Sequence, residues 1–221
     1  MDQSSRIERR RVDAGAAATG LIALVLSGLA ARGGTVGTAE RSVFEAINGL
    51  PNALGAPMRA AQLLGILAVG PIVAVVAVAL RRVRLAIAAL LVTVGKLAGE
   101  RLVWELVHRE RPGTTEPNAI VRGDTPTAGV SFVSGHVVLV TGLAWVVTPY
   151  LRGRWRWLPW GVVGLVAFAR IYLAAHNPLD VVGGLALGLV IGGSVNLIVG
   201  VPSPRAVRDV VDDTPLQSAS A

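Results

Sequence analysis

Apolar residues run through this chain in six long blocks, at about 15–32, 58–80, 84–107, 133–151, 157–175 and 179–200, separated by short polar breaks. A helix needs about 20 mostly apolar residues to cross a bilayer, and each block is of that order. The pattern predicts an all-α, polytopic membrane protein: a six-transmembrane-helix bundle over 15–200 between polar tails, 1–14 and 201–221. The second tail, rich in Ser, Asp and Pro, reads as disordered. A shorter feature follows the first block. Val43, Phe44, Ile47 and Leu50 recur at helical spacing with Glu40, Arg41, Glu45 and Asn48 between them, and Gly49 and Pro51 mark the stop. This predicts a short interfacial helix over 38–50, with packing against the bundle as the alternative.

The arginines orient the blocks. Arg6, Arg9, Arg10 and Arg11 precede the first; Arg81, Arg82 and Arg84 separate the second and third; Arg152, Arg154 and Arg156 separate the fourth and fifth; Arg205 and Arg208 follow the sixth. With six spans all four groups share one side, which the positive-inside rule makes cytoplasmic. Trp155, Trp157 and Trp160 suit the aromatic belt of that interface. The expectation is an integral protein of the plasma (inner) membrane with both termini cytoplasmic. The first block also fits a cleaved signal peptide, since its apolar run ends in the small-residue stretch Gly28-Leu29-Ala30-Ala31. That alternative leaves the other five spans as they are.

Composition agrees with a membrane. The 221 residues are 52% hydrophobic and only 16% charged, with a mean hydropathy of +0.59, whereas soluble domains carry about 25% charged residues. The net charge of +7 sits in short arginine runs between apolar blocks, with no basic face interleaved with aromatics, so nucleic acid is not an expected partner. There is no cysteine, which excludes disulfides, thiolate nucleophiles and Cys-ligated metals. Three histidines without an HxxxH or HxH pair give no dedicated metal site, and no cofactor is implied.

Three polar clusters sit at the ends of blocks three to six, all on the extracytoplasmic face by this topology. Arg111 precedes Pro112; Ser134, Gly135 and His136 open the fourth block; Arg170 and His176 close the fifth, and Asp180 opens the sixth after Asn177-Pro178. Intramembrane ionisable residues mark function by default. Arg170 and His176 are separated by roughly 9 Å of helix rise, a gap a guanidinium can largely cover. Asp180, folding back, can accept the His176 Nδ1 proton and leave Nε2 as a nucleophile. Ser134 and Gly135 open a helix, whose first turn offers free N–H groups and a positive dipole end to an anion. His136 then sits where a leaving-group oxygen can be protonated. Arg111 supplies a fork that matches phosphate oxygens; as an alternative it is an interfacial anchor.

Together these clusters resemble the type-2 phosphatidic-acid phosphatase superfamily, integral-membrane lipid phosphate phosphatases related to vanadium haloperoxidases. That family's pattern is K-x6-R-P, P-S-G-H and S-R-x5-H-x3-D; this chain reads W-x6-R-P at 104–112, V-S-G-H at 133–136 and A-R-x5-H-x3-D at 169–180. The likeness covers roughly residues 15–200. It implies that His176 is the nucleophile, Asp180 its orienting partner, and His136 the general acid and later the base for water. It further implies that Arg111, Arg170, Ser134 and the Gly135 amide hold the phosphate oxygens. The implied reaction is metal-independent hydrolysis of a lipid phosphomonoester or pyrophosphate through a phosphohistidine. The implied substrate is of the isoprenyl pyrophosphate, phosphatidic acid or phosphatidylglycerol phosphate class.

Three positions depart from the pattern. Val133 and Ala169 replace a proline and a serine, neither of which must carry charge to the phosphate. Trp104 replaces the lysine, and losing one charge-stabilising group from such a site costs about 3–4 kcal/mol by analogy with an oxyanion-hole donor. Lys96, about 22 Å of helix rise from Arg111, reads as too distant to replace it and as the partner of Glu100; Arg101, at roughly 15 Å, reads as a poor substitute and pairs with Glu105. His108, Arg109 and Arg122 are the nearer candidates. Trp104 also motivates a second reading, a non-catalytic lipid-phosphate binder or a transporter on the same bundle.

Overall fold

The computed structural model describes residues 7–202; Arg6, Arg205, Arg208 and residues 203–221 of the expected C-terminal tail lie outside the described residues. Helices fill each predicted block. They are α1 (Arg11–Ala31), α3 (Gly55–Gln62) with α4 (Val69–Ala79), α5 (Val83–Leu106), α7 (Gly135–Val147), α8 (Leu158–Tyr172) and α9 (Pro178–Val199). Between them lie α2 (Thr38–Asn48) and the single turn α6 (Pro112–Thr115). A two-residue strand β1 (Ile7–Glu8) pairs antiparallel with β2 (Val201–Pro202), so part of each expected tail is joined to the other.

Among the described residues, only α1 and α9 are each long and apolar enough to cross a membrane alone; α3 and α4 make a third if taken as one bent span. The others fall short for two reasons. The 24-residue α5 carries Lys96, Glu100, Arg101 and Glu105, and α7 and α8 have 13 and 15 residues. The second predicted block is broken where one continuous helix was expected: its halves meet at 62°. Pro71 stands in the first turn of α4, where a missing N–H costs no helical bond.

The core lies along α9. Glycines let its neighbours approach at backbone distance: a Cβ on Gly20 of α1 would lie 2.7 Å from the Ala186 carbonyl, and one on Gly188 of α9 would lie 2.8 Å from the Val138 carbonyl of α7. Small residues permit such close contacts between apolar helices. Leu21, Ile22, Val25, Leu26, Val75, Val94 and Leu102 instead point outward and exposed. Apolar surface on that scale, on apolar helices, is the exterior of an integral membrane protein. The amphipathic α2 packs against the bundle, with Phe44 and Asn48 buried. The Asn48 side chain donates to the carbonyls of Tyr172 (2.9 Å) and Ile120 (3.0 Å).

The arginine groups meet at one end of the bundle. Arg82 donates to the Tyr150 carbonyl, Arg84 to that of Val199, and Arg9 to that of Leu197. Asp13, buried there, receives both Arg10 (2.8 Å) and the Trp145 indole (2.8 Å). A cavity of about 400 Å³ lined by Arg10, Trp145, Arg156, Trp157 and Trp160 opens at this end.

Candidate active site

The third cluster forms because the chain turns back after α8. Ala174 takes a left-handed conformation (φ 60°), and the amides of Ala175 and His176 both donate to the Arg170 carbonyl, at 3.0 and 3.2 Å. The six-residue gap is therefore folded over, and His176 returns to Arg170. Pro178 then starts α9 at the position where a missing N–H is tolerated.

His176 is 3% exposed and Asp180 fully buried. Their contact is less direct than the spacing predicts. The nearest approach, Nδ1 to Asp180 Oδ2, is 3.8 Å, whereas Nδ1 lies 3.0 Å from the Ser131 carbonyl oxygen. A carbonyl can only accept, so it fixes the proton on Nδ1 and leaves Nε2 with its lone pair. Asp180 is held around this pair: its Oδ2 accepts from the Asn177 amide (2.8 Å) and the Ser131 hydroxyl, and its Oδ1 accepts from Arg109 (3.2 Å). Burial pushes the His176 pKa down to about 4, with Arg170 and Arg111 acting in the same direction and Asp180 opposing.

Ser134 occupies the N-cap of α7, and its amide donates to the Asp180 carbonyl (3.0 Å), which joins the second cluster to the third. Its hydroxyl does not cap the helix as the sequence pattern predicts; it is buried and without a partner. Arg170, 6% exposed, bonds Gln62 through one terminal nitrogen and leaves its Nε equally unpartnered. Arg111 donates to the Ala175 carbonyl (2.8 Å) beside His176. Burial lowers the Arg111 pKa, against the pull of the Asp180 and Glu100 charges. Gly135 is the first residue of α7 and is buried. His136 follows it within Coulombic range of Arg170, His176, Lys96 and Arg111. Its side chain packs on Gly65 in the break between α3 and α4, where a Cβ would lie 2.8 Å from that of His136. The seven candidate residues thus lie together where the start of α7 meets the turn before α9. Two guanidiniums, an open helix N-terminus, a free hydroxyl and two imidazoles are the kinds of group that can hold a tetrahedral anion.

Four contributors, Ser131, Glu40, Gln62 and Gly65, lie outside the motifs, and Arg109 takes a different role from the one expected of it. Ser131 supplies both the carbonyl and the hydroxyl at the His176–Asp180 pair. Arg109, fully buried, bridges Asp180 to Glu40 of α2 (2.6 and 2.9 Å), and Glu40 also receives the Leu179 amide (2.8 Å). Gln62 and Gly65 come from the broken helix.

The substitutes considered for Trp104 sort clearly. Trp104 is 36% exposed and His108 is also exposed. Arg109 is committed to its two carboxylates. Arg122 is spent on the carbonyls of Tyr172, Leu50 and Ile120 and on stacking over the Tyr172 ring at 4.1 Å. Arg101 and Glu105 are exposed, so they form no pair inside the bundle. Lys96 does pair with Glu100, as expected, and its Cε lies beside Gly135, because α7 begins level with that turn of α5.

Residues 83–201 match the PAP2 superfamily, and the chain belongs to that family. It is 37% identical over 62 residues to a lipid A 4'-phosphatase of Porphyromonas gingivalis, an alignment covering 28% of this chain and 26% of that protein. It is 39% identical over 101 residues to a decaprenylphosphoryl-5-phosphoribose phosphatase of Mycobacterium tuberculosis, covering 45% and 52% respectively. The matches thus span about half of that relative or less. Two crystal structures share the fold. Aquifex aeolicus LpxE gives a TM-score of 0.60 at 22% identity, over 70% of this chain and 92% of that one. A PAP2-type phosphatidylglycerolphosphate phosphatase from Bacillus subtilis gives 0.62 at 20% identity, over 81% and 94%.

Proposed function

We propose that this protein is a lipid phosphatase that removes phosphate from a phosphomonoester or pyrophosphate headgroup through a phosphohistidine. The observation that carries the reading is the buried pair of unpartnered groups, the Ser134 hydroxyl and the Arg170 Nε, beside two histidines. An orphaned buried donor costs about 1–3 kcal/mol, and a phosphate oxygen repays both. In this reading Arg111, Arg170, Ser134 and the Gly135 amide hold the phosphate. His176 Nε2 attacks phosphorus in line and the P–O bond to the lipid breaks. His136 donates a proton to the departing oxygen, then takes one from the water that hydrolyses the P–N bond. Asp180 stabilises the cationic phosphohistidine by its charge.

The named phosphatase relatives support a lipid phosphate as substrate, of the isoprenyl, phosphatidic acid or phosphatidylglycerol type. The same reading takes six segments across the membrane, with the arginine-rich end cytoplasmic and the pocket on the opposite face. The test is phosphate release from a panel of lipid phosphates in detergent with chelator present. Turnover by the wild type and none by His176→Ala is expected; unchanged turnover by that variant overturns the reading. Trp104 lies on an exposed face of α5.

A further inference from the structure

The Lys96–Glu100 pair lies on the inward seam of α5, where Leu85, Ala89, Val92, Val103 and Val107 are buried at the same helical spacing. Its position is unusual for a structural ion pair. It presses on the first residue of α7: a Cβ on Gly135 would lie 2.8 Å from the Glu100 carboxyl carbon and 2.9 Å from Lys96 Cε. That residue is where a helix N-terminus is open to an anion. The pair is also electrically part of the site, since Lys96 acts on His136 and Glu100 on Arg111.

From this geometry we infer that Lys96 is a phosphate-binding residue of this site, positioned by Glu100. The inference deepens the reading proposed above and rests on it. An ammonium carries three donors. One is committed to Glu100, which leaves two to turn toward an oxyanion held over the Gly135 amide. Glu100 keeps the ammonium at the pocket wall when the pocket is empty and neutralises it, so that the site does not gather unscreened positive charge. When phosphate enters, the cation is shared between carboxylate and phosphate. In this chain the charge arrives from a deeper turn of α5 than Trp104 occupies, and it meets the phosphate from the side of His136.

The test is oxyanion affinity, separated from turnover. Orthovanadate binding to the full chain in detergent is measured by calorimetry for wild type, Lys96→Arg, Glu100→Gln and the charge-neutral double variant Lys96→Met/Glu100→Gln, with thermal unfolding recorded for each. The double variant leaves no orphaned charge. Loss of a charge-assisted contact weakens binding about tenfold or more, so that result is expected at little change in unfolding temperature, with Lys96→Arg restoring most of the affinity. Vanadate bound by the double variant as tightly as by wild type overturns the inference. Should the double variant unfold early, Glu100→Gln decides: its amide oxygen still accepts from the Lys96 ammonium but no longer neutralises it, so affinity held or strengthened is expected, and weakened affinity overturns the inference. Failure of the wild type itself to bind vanadate would instead remove the underlying phosphatase reading.

Discussion

The His176 Nδ1 proton is held by the backbone carbonyl of Ser131 at 3.0 Å, and Asp180 stands off at 3.8 Å. The tautomer therefore does not depend on residue 180. Replacing the aspartate of a histidine dyad by asparagine costs about 10⁴-fold where that aspartate fixes the tautomer. Here Asp180→Asn is expected to cost about 10–100-fold in kcat, the loss of charge stabilisation alone, while His176→Ala abolishes turnover. Steady-state kinetics of the two variants distinguish these outcomes.

Arg109 ties α2 to the start of α9 by pairing Glu40 and Asp180 out of solvent, and the two carboxylates raise its pKa against the opposing effect of burial. Removing one partner of a buried pair costs about 3–5 kcal/mol. Glu40→Ala is expected to lose stability on that scale, read by thermal unfolding in detergent. An unfolding temperature equal to wild type contradicts the network.

The motifs made much of this site legible. Arg170, His176 and Asp180 lie within eleven residues, and the breaker Asn177-Pro178 announces the turn that gathers them. Ser131 lies only two residues from a motif, yet its role depends on a partner 45 residues distant. Glu40 and Gln62 act across 69 and 108 residues, separations at which no local spacing carries information. The nearness of Lys96 to Gly135 was hidden for a related reason. Rise along α5 measures height, but which height matters was decided by where α7 starts. The broken second helix was hidden because the block reads as one continuous run, and hydropathy does not register a bend.

Gly65 leaves room for His136 in that bend. Gly65→Ala places a methyl group 2.8 Å from the His136 Cβ and is expected to lower kcat by about tenfold or more, since small misplacements of a catalytic group are costly, at an overpacking cost in stability of about 1–3 kcal/mol. Gly135→Ala collides with the Lys96–Glu100 pair and is expected to lose both activity and stability. Kinetics and unfolding on the two variants separate these effects.

Acid dependence follows from burial. With its pKa lowered to about 4, His176 stays neutral and nucleophilic at pH 5, where an ordinary imidazole of pKa about 6.5 is mostly protonated. The acid limb of kcat/KM, corrected for ionisation of the substrate phosphate, is expected near pH 4. For stability the sign is the same. As pH falls below 6.5 the unfolded chain binds a proton the folded one refuses, so stability declines between 6.5 and 4. A limb near 6.5 contradicts the buried, neutral nucleophile.

The central claim, phosphoryl transfer to His176, is tested most directly by rapid quench of the His136→Ala variant with a lipid substrate labelled in the transferred phosphate. Slowed hydrolysis of the intermediate is expected to accumulate acid-labile, base-stable label, mapped by peptide sequencing to His176. Label on another residue, or turnover by His136→Ala at the wild-type rate with no label on the protein, contradicts it.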